Sequence, residues 1–172
     1  ILDDPIVGES ARSLFADAEA MLDKIITEHW LRPSGVVGLW PCRRDGDDVV
    51  IDDVRLPFLR QQFRKREGRG NLCLADFIDP AGEDWIGGFA VAIHGIEPHL
   101  ERFREANDDY SDIMLKALAD RLAEAFAERL HEHVRKRIWG YGAEEHLSNQ
   151  ELIRERYAGI RPAPGYPASP DH

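Results

Sequence analysis

Residues 35–51 read Gly-Val-Val-Gly-Leu-Trp-Pro-Cys-Arg-Arg-Asp-Gly-Asp-Asp-Val-Val-Ile. Two apolar, β-branched runs, Val36 to Trp40 and Val49 to Ile51, flank Asp45–Gly46, and an Asp-Gly step between such runs signals a hairpin because glycine tolerates positive φ. The reading predicts strands near 35–43 and 48–53. Upstream, Ala11, Leu14, Phe15, Ala18, Met21, Leu22, Ile25 and Ile26 keep the three-and-four spacing of one helical face, which predicts a helix ending near Trp30, ahead of Pro33 and Gly35. Downstream, a short helix fits Leu56 to Lys65, ended by Gly68 and Gly70. Two further strands follow, near 71–78 and 85–94, separated by the turn residues Asp79-Pro80-Ala81-Gly82.

Beyond Gly95 the pattern turns helical. Its strongest element runs from about Asp109 to Trp139, with Tyr110, Met114, Leu118, Leu122, Phe126 and Leu130 at four-residue steps. Hairpin-linked strands bracketed by helices predict an α+β fold: a mainly antiparallel twisted sheet flanked by helices, with one long central helix. A doubly wound nucleotide fold is disfavoured, since Gly35-Val36-Val37-Gly38 lies inside a strand with no helix after it.

At 172 residues the chain has the length of one globular domain. It holds no unbroken apolar run of membrane-spanning length and no secretory leader pattern, so a soluble, cytoplasmic location is expected and a membrane partner is not. The formal net charge of −10 disfavours nucleic acid as a partner, because a phosphate backbone needs dense lysine and arginine on one face. One stretch departs from that average. Arg60, Arg64, Lys65, Arg66 and Arg69 stand against the single acid Glu67, which allows a local anionic contact, the ordinary alternative being a solvated helix end and loop.

Cys42 and Cys73 are too few for a disulfide framework and have no zinc-ligand spacing, so both read as half-buried strand cysteines. His131 and His133 lie two apart, about 200° around a helix, which keeps them from sharing a metal. His94, His99 and His146 are isolated, and Asp76 reads as structural. No nucleophile elbow or HExxH pattern is present, and no self-contained active site emerges.

The least ordinary segment is Arg161-Pro162-Ala163-Pro164-Gly165-Tyr166-Pro167-Ala168-Ser169-Pro170, with four prolines in ten residues. Proline fixes φ and removes amide donors, so the segment runs as a stiff extended loop whose remaining polar groups are presented at low entropic cost. A ligand-free linker has the same composition. Arg161 to Tyr166 matches an RxxxGY pattern, and RPAPGYPASPDH resembles the signature of the activation domain of cobalamin-dependent methionine synthases. The stretches 18–24, 35–41, 72–77 and 116–126 also look like blocks of that family, in family order.

The resemblance implies an S-adenosylmethionine-binding domain that supports reductive reactivation, in which the bound sulfonium remethylates cobalamin after an external donor has reduced it. It also implies a place within a methyltransferase of methionine biosynthesis, with no catalytic activity of the isolated domain. Cobalamin would be held by a neighbouring domain of the same enzyme, and the electron donor would be a flavodoxin-like protein or a reductase. By the same resemblance Arg161 would hold the ligand carboxylate, the backbone at Ala163 would meet the adenine, and Gly165 and Tyr166 would shape the pocket beside the sulfonium. A guanidinium offers a carboxylate its planar fork, which agrees with the first role.

Glu124, 37 positions before Arg161, falls at the family's spacing between its acidic contact and that arginine. At 100° per residue it lies about 160° from Leu122 and Phe126, off their core stripe. Asp120 and Glu128 share its side, and Asp120 is a weaker candidate, as a supporting acid or a contact to a cobalamin domain. Residues 1–172 thus read as a single activation-type domain truncated at both ends, lacking an aspartate-containing segment before Ile1 and a tyrosine-bearing region past His172. Ser169 stands where the family usually has cysteine. An alternative function is an interaction module that keeps the fold and docks an electron donor or cobalamin domain without binding S-adenosylmethionine.

Overall fold

The computed structural model describes residues 1–66 and 68–170, so Glu67, Asp171 and His172 of the sequence reading lie outside the described residues. The elements in chain order are α1 (Gly8–Thr27), β1 (Arg32–Asp45), β2 (Asp48–Ile51), β3 (Val54–Pro57), a 3₁₀ turn (Leu74–Phe77), β4 (Asp84–His94), α2 (Glu97–Glu105), α3 (Asp109–His133), a π turn (Val134–Ile138) and α4 (Asn149–Ile153). The sheet order is β3-β2-β1-β4, with β1–β2 and β2–β3 antiparallel. The fold is α+β.

The hairpin forms where Asp-Gly asks for it. Arg44 pairs with Val49 and Asp45 with Asp48, leaving Gly46–Asp47 as a two-residue loop with Gly46 at φ +66°. The next turn, Asp52–Asp53, returns the chain as β3, whose Arg55 bonds Asp45 at 2.5 Å and Asp48 at 2.7 Å.

Two sequence expectations fail here, and both have local causes. The helix expected over Leu56–Lys65 is absent: Leu56 pairs with Val49, Pro57 disfavours helical backbone in the residue before it, and 58–65 has no regular structure. The strand expected over 71–78 is a loop and one 3₁₀ turn, because the Asp76 carboxylate accepts the Cys73 amide at 2.8 Å and draws the backbone into the turn. The fourth strand is β3 instead.

The chain divides into two compact units, 1–36 with 90–130, and 37–89 with 131–172. In the first, the core is Met21, Ile25, Trp30, Leu100, Met114 and Leu115, with Leu118 and Leu122 packed against it. Trp30 stacks on His99 at 4.2 Å between centroids, and the Arg102 guanidinium lies 4.9 Å from the indole ring. The helical stripe read from the sequence is only partly buried: Leu14, Phe15, Ile26 and Tyr110 are exposed. In the second unit the core is Cys42, Val49, Cys73, Ala75 and Ile78, with Ile51, Phe58 and Ile86 beside it. Both cysteines are fully buried rather than half-buried, and Cys73 lies outside any strand.

Candidate ligand loop and its support

Four of the six candidate site residues sit on one loop of the second unit. Within it Gly165 takes φ +86°, its amide donates to the Ser169 carbonyl at 2.8 Å, and the Ser169 amide donates to the Tyr166 carbonyl at 2.8 Å. The proline segment therefore closes on itself as a tight turn through Tyr166-Pro167-Ala168-Ser169, a conformation that needs the positive φ glycine allows. Ser169 serves through its backbone here, which any side chain can do. The Leu59 amide donates to the Ala168 carbonyl at 3.3 Å and fastens this turn to the segment after β3. Arg161 and Ser169 are half-buried, while Ala163, Gly165 and Tyr166 are exposed.

That segment after β3 is itself tied down. Arg60 bonds Asp47 at 2.5 Å, both oxygens of Asp76 at 2.7 and 2.8 Å and the Asn71 carbonyl at 2.8 Å, and Arg44 reaches Asp76 at 2.7 Å. The Arg60 bonds hold the Asp76 carboxyl well below the usual carboxylate range, with the Cys73 amide adding to the effect. Arg60 is therefore a structural tie, which corrects its reading as part of a free basic patch; Lys65 likewise turns onto Gln61 at 2.5 Å. Arg64, Arg66 and Arg69 are exposed.

Glu124 and Asp120 are exposed on α3, in the first unit, and Glu124 pairs with Arg121 at 2.9 Å. That pair is solvent-screened and of small energetic consequence.

Sequence reasoning passed over a polar cluster in the second unit, at the C-terminal end of α3. Arg135, on the π turn, is 1% exposed and His131 5%. Arg135 donates from Nε to Glu145 at 2.9 Å and from a terminal nitrogen to His131 Nδ1 at 2.9 Å, and its guanidinium lies 4.4 Å from the Tyr157 ring centroid. Accepting at Nδ1 requires the neutral imidazole, and burial, Arg135 and Arg161, in that order, push His131 down to about 4. The charge of Arg161 is thus felt at this cluster. The second oxygen of Glu145 accepts the Ala158 amide at 2.9 Å. Burial pushes the Glu145 carboxyl up, but the Ala158 amide and Arg135 together outweigh it and hold the group below its usual value. Gly142 leaves room for this packing, since a Cβ there would stand 2.9 Å from the Glu145 carboxyl. The His131–Arg135 spacing of i, i+4 was the one available signal.

A larger hollow of about 660 Å³ lies within the first unit, lined by Met21, Trp30, Arg102, Phe103 and Met114 among others. It contains none of the loop residues.

The α+β order of elements and the arginine-led proline loop are the two features that the sequence reading tied to one family. The family comparison agrees: residues 1–172 match the model for the activation domain of vitamin B12 dependent methionine synthase, and the chain belongs to that family. A solved structure described as the MetH reactivation domain bound to AdoHcy superposes with a TM-score of 0.86 at 53% identity, covering 99% of this chain and 56% of that one. The chain thus spans little more than half the length of that relative.

Proposed function

We propose that this chain binds S-adenosylmethionine through the loop 161–166 and serves the reductive reactivation of a cobalamin-dependent methionine synthase. The observation that carries the reading is the closed proline loop headed by Arg161, in a chain 53% identical to a reactivation domain bound to AdoHcy. When bound, S-adenosylmethionine supplies a methyl group from its sulfonium and is left as the thioether S-adenosylhomocysteine.

The chain's own part is recognition. The guanidinium of Arg161 pairs with the ligand carboxylate, the backbone at Ala163 meets the adenine edge, and Gly165 with Tyr166 borders the sulfonium. Glu124 accepts the ligand ammonium, with Asp120 one helical turn away as a second acid. Ligand and loop are matched in charge: the aminocarboxylate end carries both signs on one carbon, and the proposed contacts supply an arginine and an acid.

In this reading residues 1–172 act as one activation domain, with no turnover of their own, in a methyltransferase whose cobalamin sits in another domain. That cobalamin domain and a flavodoxin-like or reductase electron donor are the partners, in the cytoplasm. No helix among the described residues is long and apolar enough to cross a membrane.

Calorimetric titration of S-adenosylmethionine into the wild-type chain, Arg161→Ala and Glu124→Gln tests the assignment. A charge-assisted hydrogen bond is worth about 1.5–3 kcal/mol, so the Arg161 variant is expected to bind on the order of 10- to 100-fold more weakly. Glu124 is exposed, so its variant should melt as the wild type does while binding more weakly. Unchanged affinity in both variants defeats the assignment, and a wild-type chain that docks a cobalamin domain without binding the ligand favours the interaction module.

A further inference from the structure

The cluster at the end of α3 costs desolvation that an apolar core would not. Replacing a buried ion pair by well-packed apolar side chains is often neutral or stabilising, so the Arg135–Glu145 pair is poorly explained by stability alone. Hydrogen bonds supply direction, which apolar packing does not. The π turn over Val134–Ile138 carries Arg135 inward, and π turns recur at functional sites. Arg135 fixes one oxygen of Glu145 at 2.9 Å, which leaves the other aimed at the Ala158 amide, also at 2.9 Å. The same guanidinium lies over the Tyr157 ring. Two consecutive residues, 157 and 158, are therefore held by one buried side chain and its partner. Gly159 follows at φ +83°, where a Cβ would stand 3.3 Å from the Tyr141 hydroxyl, and Arg161 comes two residues later.

We propose that Arg135 and Glu145 are positioning residues for the ligand loop: the clamp they form on Tyr157 and Ala158 sets the course of the chain into Arg161, and with it the affinity for S-adenosylmethionine. The inference rests on the ligand reading given above. It assigns neither residue a contact with the ligand.

The test separates direction from burial. In Glu145→Gln one side-chain oxygen remains for two donors, so either Arg135 or Ala158 loses its acceptor. In the double variant Arg135→Met with Glu145→Met the buried charges go together and no ion is stranded, but the Ala158 amide still has no carboxylate. Both are read by calorimetric affinity for S-adenosylmethionine, melting temperature and amide hydrogen exchange at Ala158 and Arg161, with β2 amides as internal reference. The expected result is affinity lowered on the order of tenfold in both variants. Ala158 and Arg161 exchange should quicken by a similar factor, β2 should be unchanged, and melting should recover in the double variant while affinity does not. A double variant that regains wild-type affinity along with wild-type melting overturns the proposal and leaves the pair a matter of charge compensation. If the double variant does not fold, Glu145→Gln decides, and unchanged exchange at Ala158 and Arg161 overturns the proposal. If the wild-type chain does not bind S-adenosylmethionine, the ligand reading fails, while the exchange arm still judges whether the clamp directs the loop.

Discussion

Lowering the pH from 6.5 toward 4 should drain the stability that burying His131 as a neutral acceptor contributes. His131 accepts from Arg135 only as neutral imidazole, and its folded value of about 4 lies below the ordinary 6.5. The unfolded chain therefore takes up a proton first. The stability His131 contributes is fully present above 6.5 and is lost progressively as the pH falls from 6.5 to about 4. At about 1.4 kcal/mol for each pH unit, that gap comes to about 3 kcal/mol, a large share of the ~5–15 kcal/mol that holds a typical domain together. His131→Asn supplies an acceptor oxygen near the Nδ1 position and does not titrate, so it removes this term alone. His99, whose value is also lowered, by burial and then by Arg102, is common to both proteins and cancels in the difference. The assay is urea unfolding at intervals from pH 7 to 4. The wild type is expected to lose about 3 kcal/mol more than the variant across that window. Parallel curves, or a His131 ring resonance titrating near 6.5, would refute the reasoning.

Two further perturbations address the loop's attachments. Arg60→Ala removes the cation shared by Asp47 and Asp76, so it should lower the melting temperature, raise the titration midpoint of Asp76 toward ordinary carboxylate values by NMR, and quicken exchange of the Leu59 amide that holds Ala168; an unmoved Asp76 would mean that the network does not set its protonation. Gly165→Ala places a Cβ at φ +86°, which costs about 1–2 kcal/mol. It should weaken S-adenosylmethionine binding by calorimetry, and wild-type affinity there would show that the closed turn is dispensable.

What was legible in the sequence follows from which signals are local. Asp45–Gly46 announced its hairpin because positive φ at a fixed position leaves few residue choices. The apolar steps from Met114 to Leu130 announced α3 because a long period averages out single exceptions. The proline loop was legible for the same reason as the hairpin: its backbone restrictions are written in residue type.

β3 was missed because Val54–Pro57 is four residues long, too short for alternation to show, and its pairing depends on ion pairs reaching back to Asp45 and Asp48. The stretch 71–78 reads as a strand by apolar content, yet one carboxylate, Asp76, diverts it into a turn. The buried cluster was the least visible of all. Arg135 and Glu145 score as surface residues in any hydropathy reading, yet the π turn carries Arg135 inward and Gly142 leaves room for Glu145 to lie half-buried against it. The candidate residues of the loop thus stand out by residue type, while the side chains proposed to aim the loop do not.

The central claim is that S-adenosylmethionine meets this chain at residues 161–166, and residue-resolved NMR of the backbone amides during titration with that ligand tests it most directly. The account predicts saturable shifts at Arg161, Ala163, Gly165 and Tyr166, extending to Ala158 and to Glu124 on α3. Shifts confined to the hollow around Trp30 and Arg102, or no saturable shift at any ligand concentration, would contradict it.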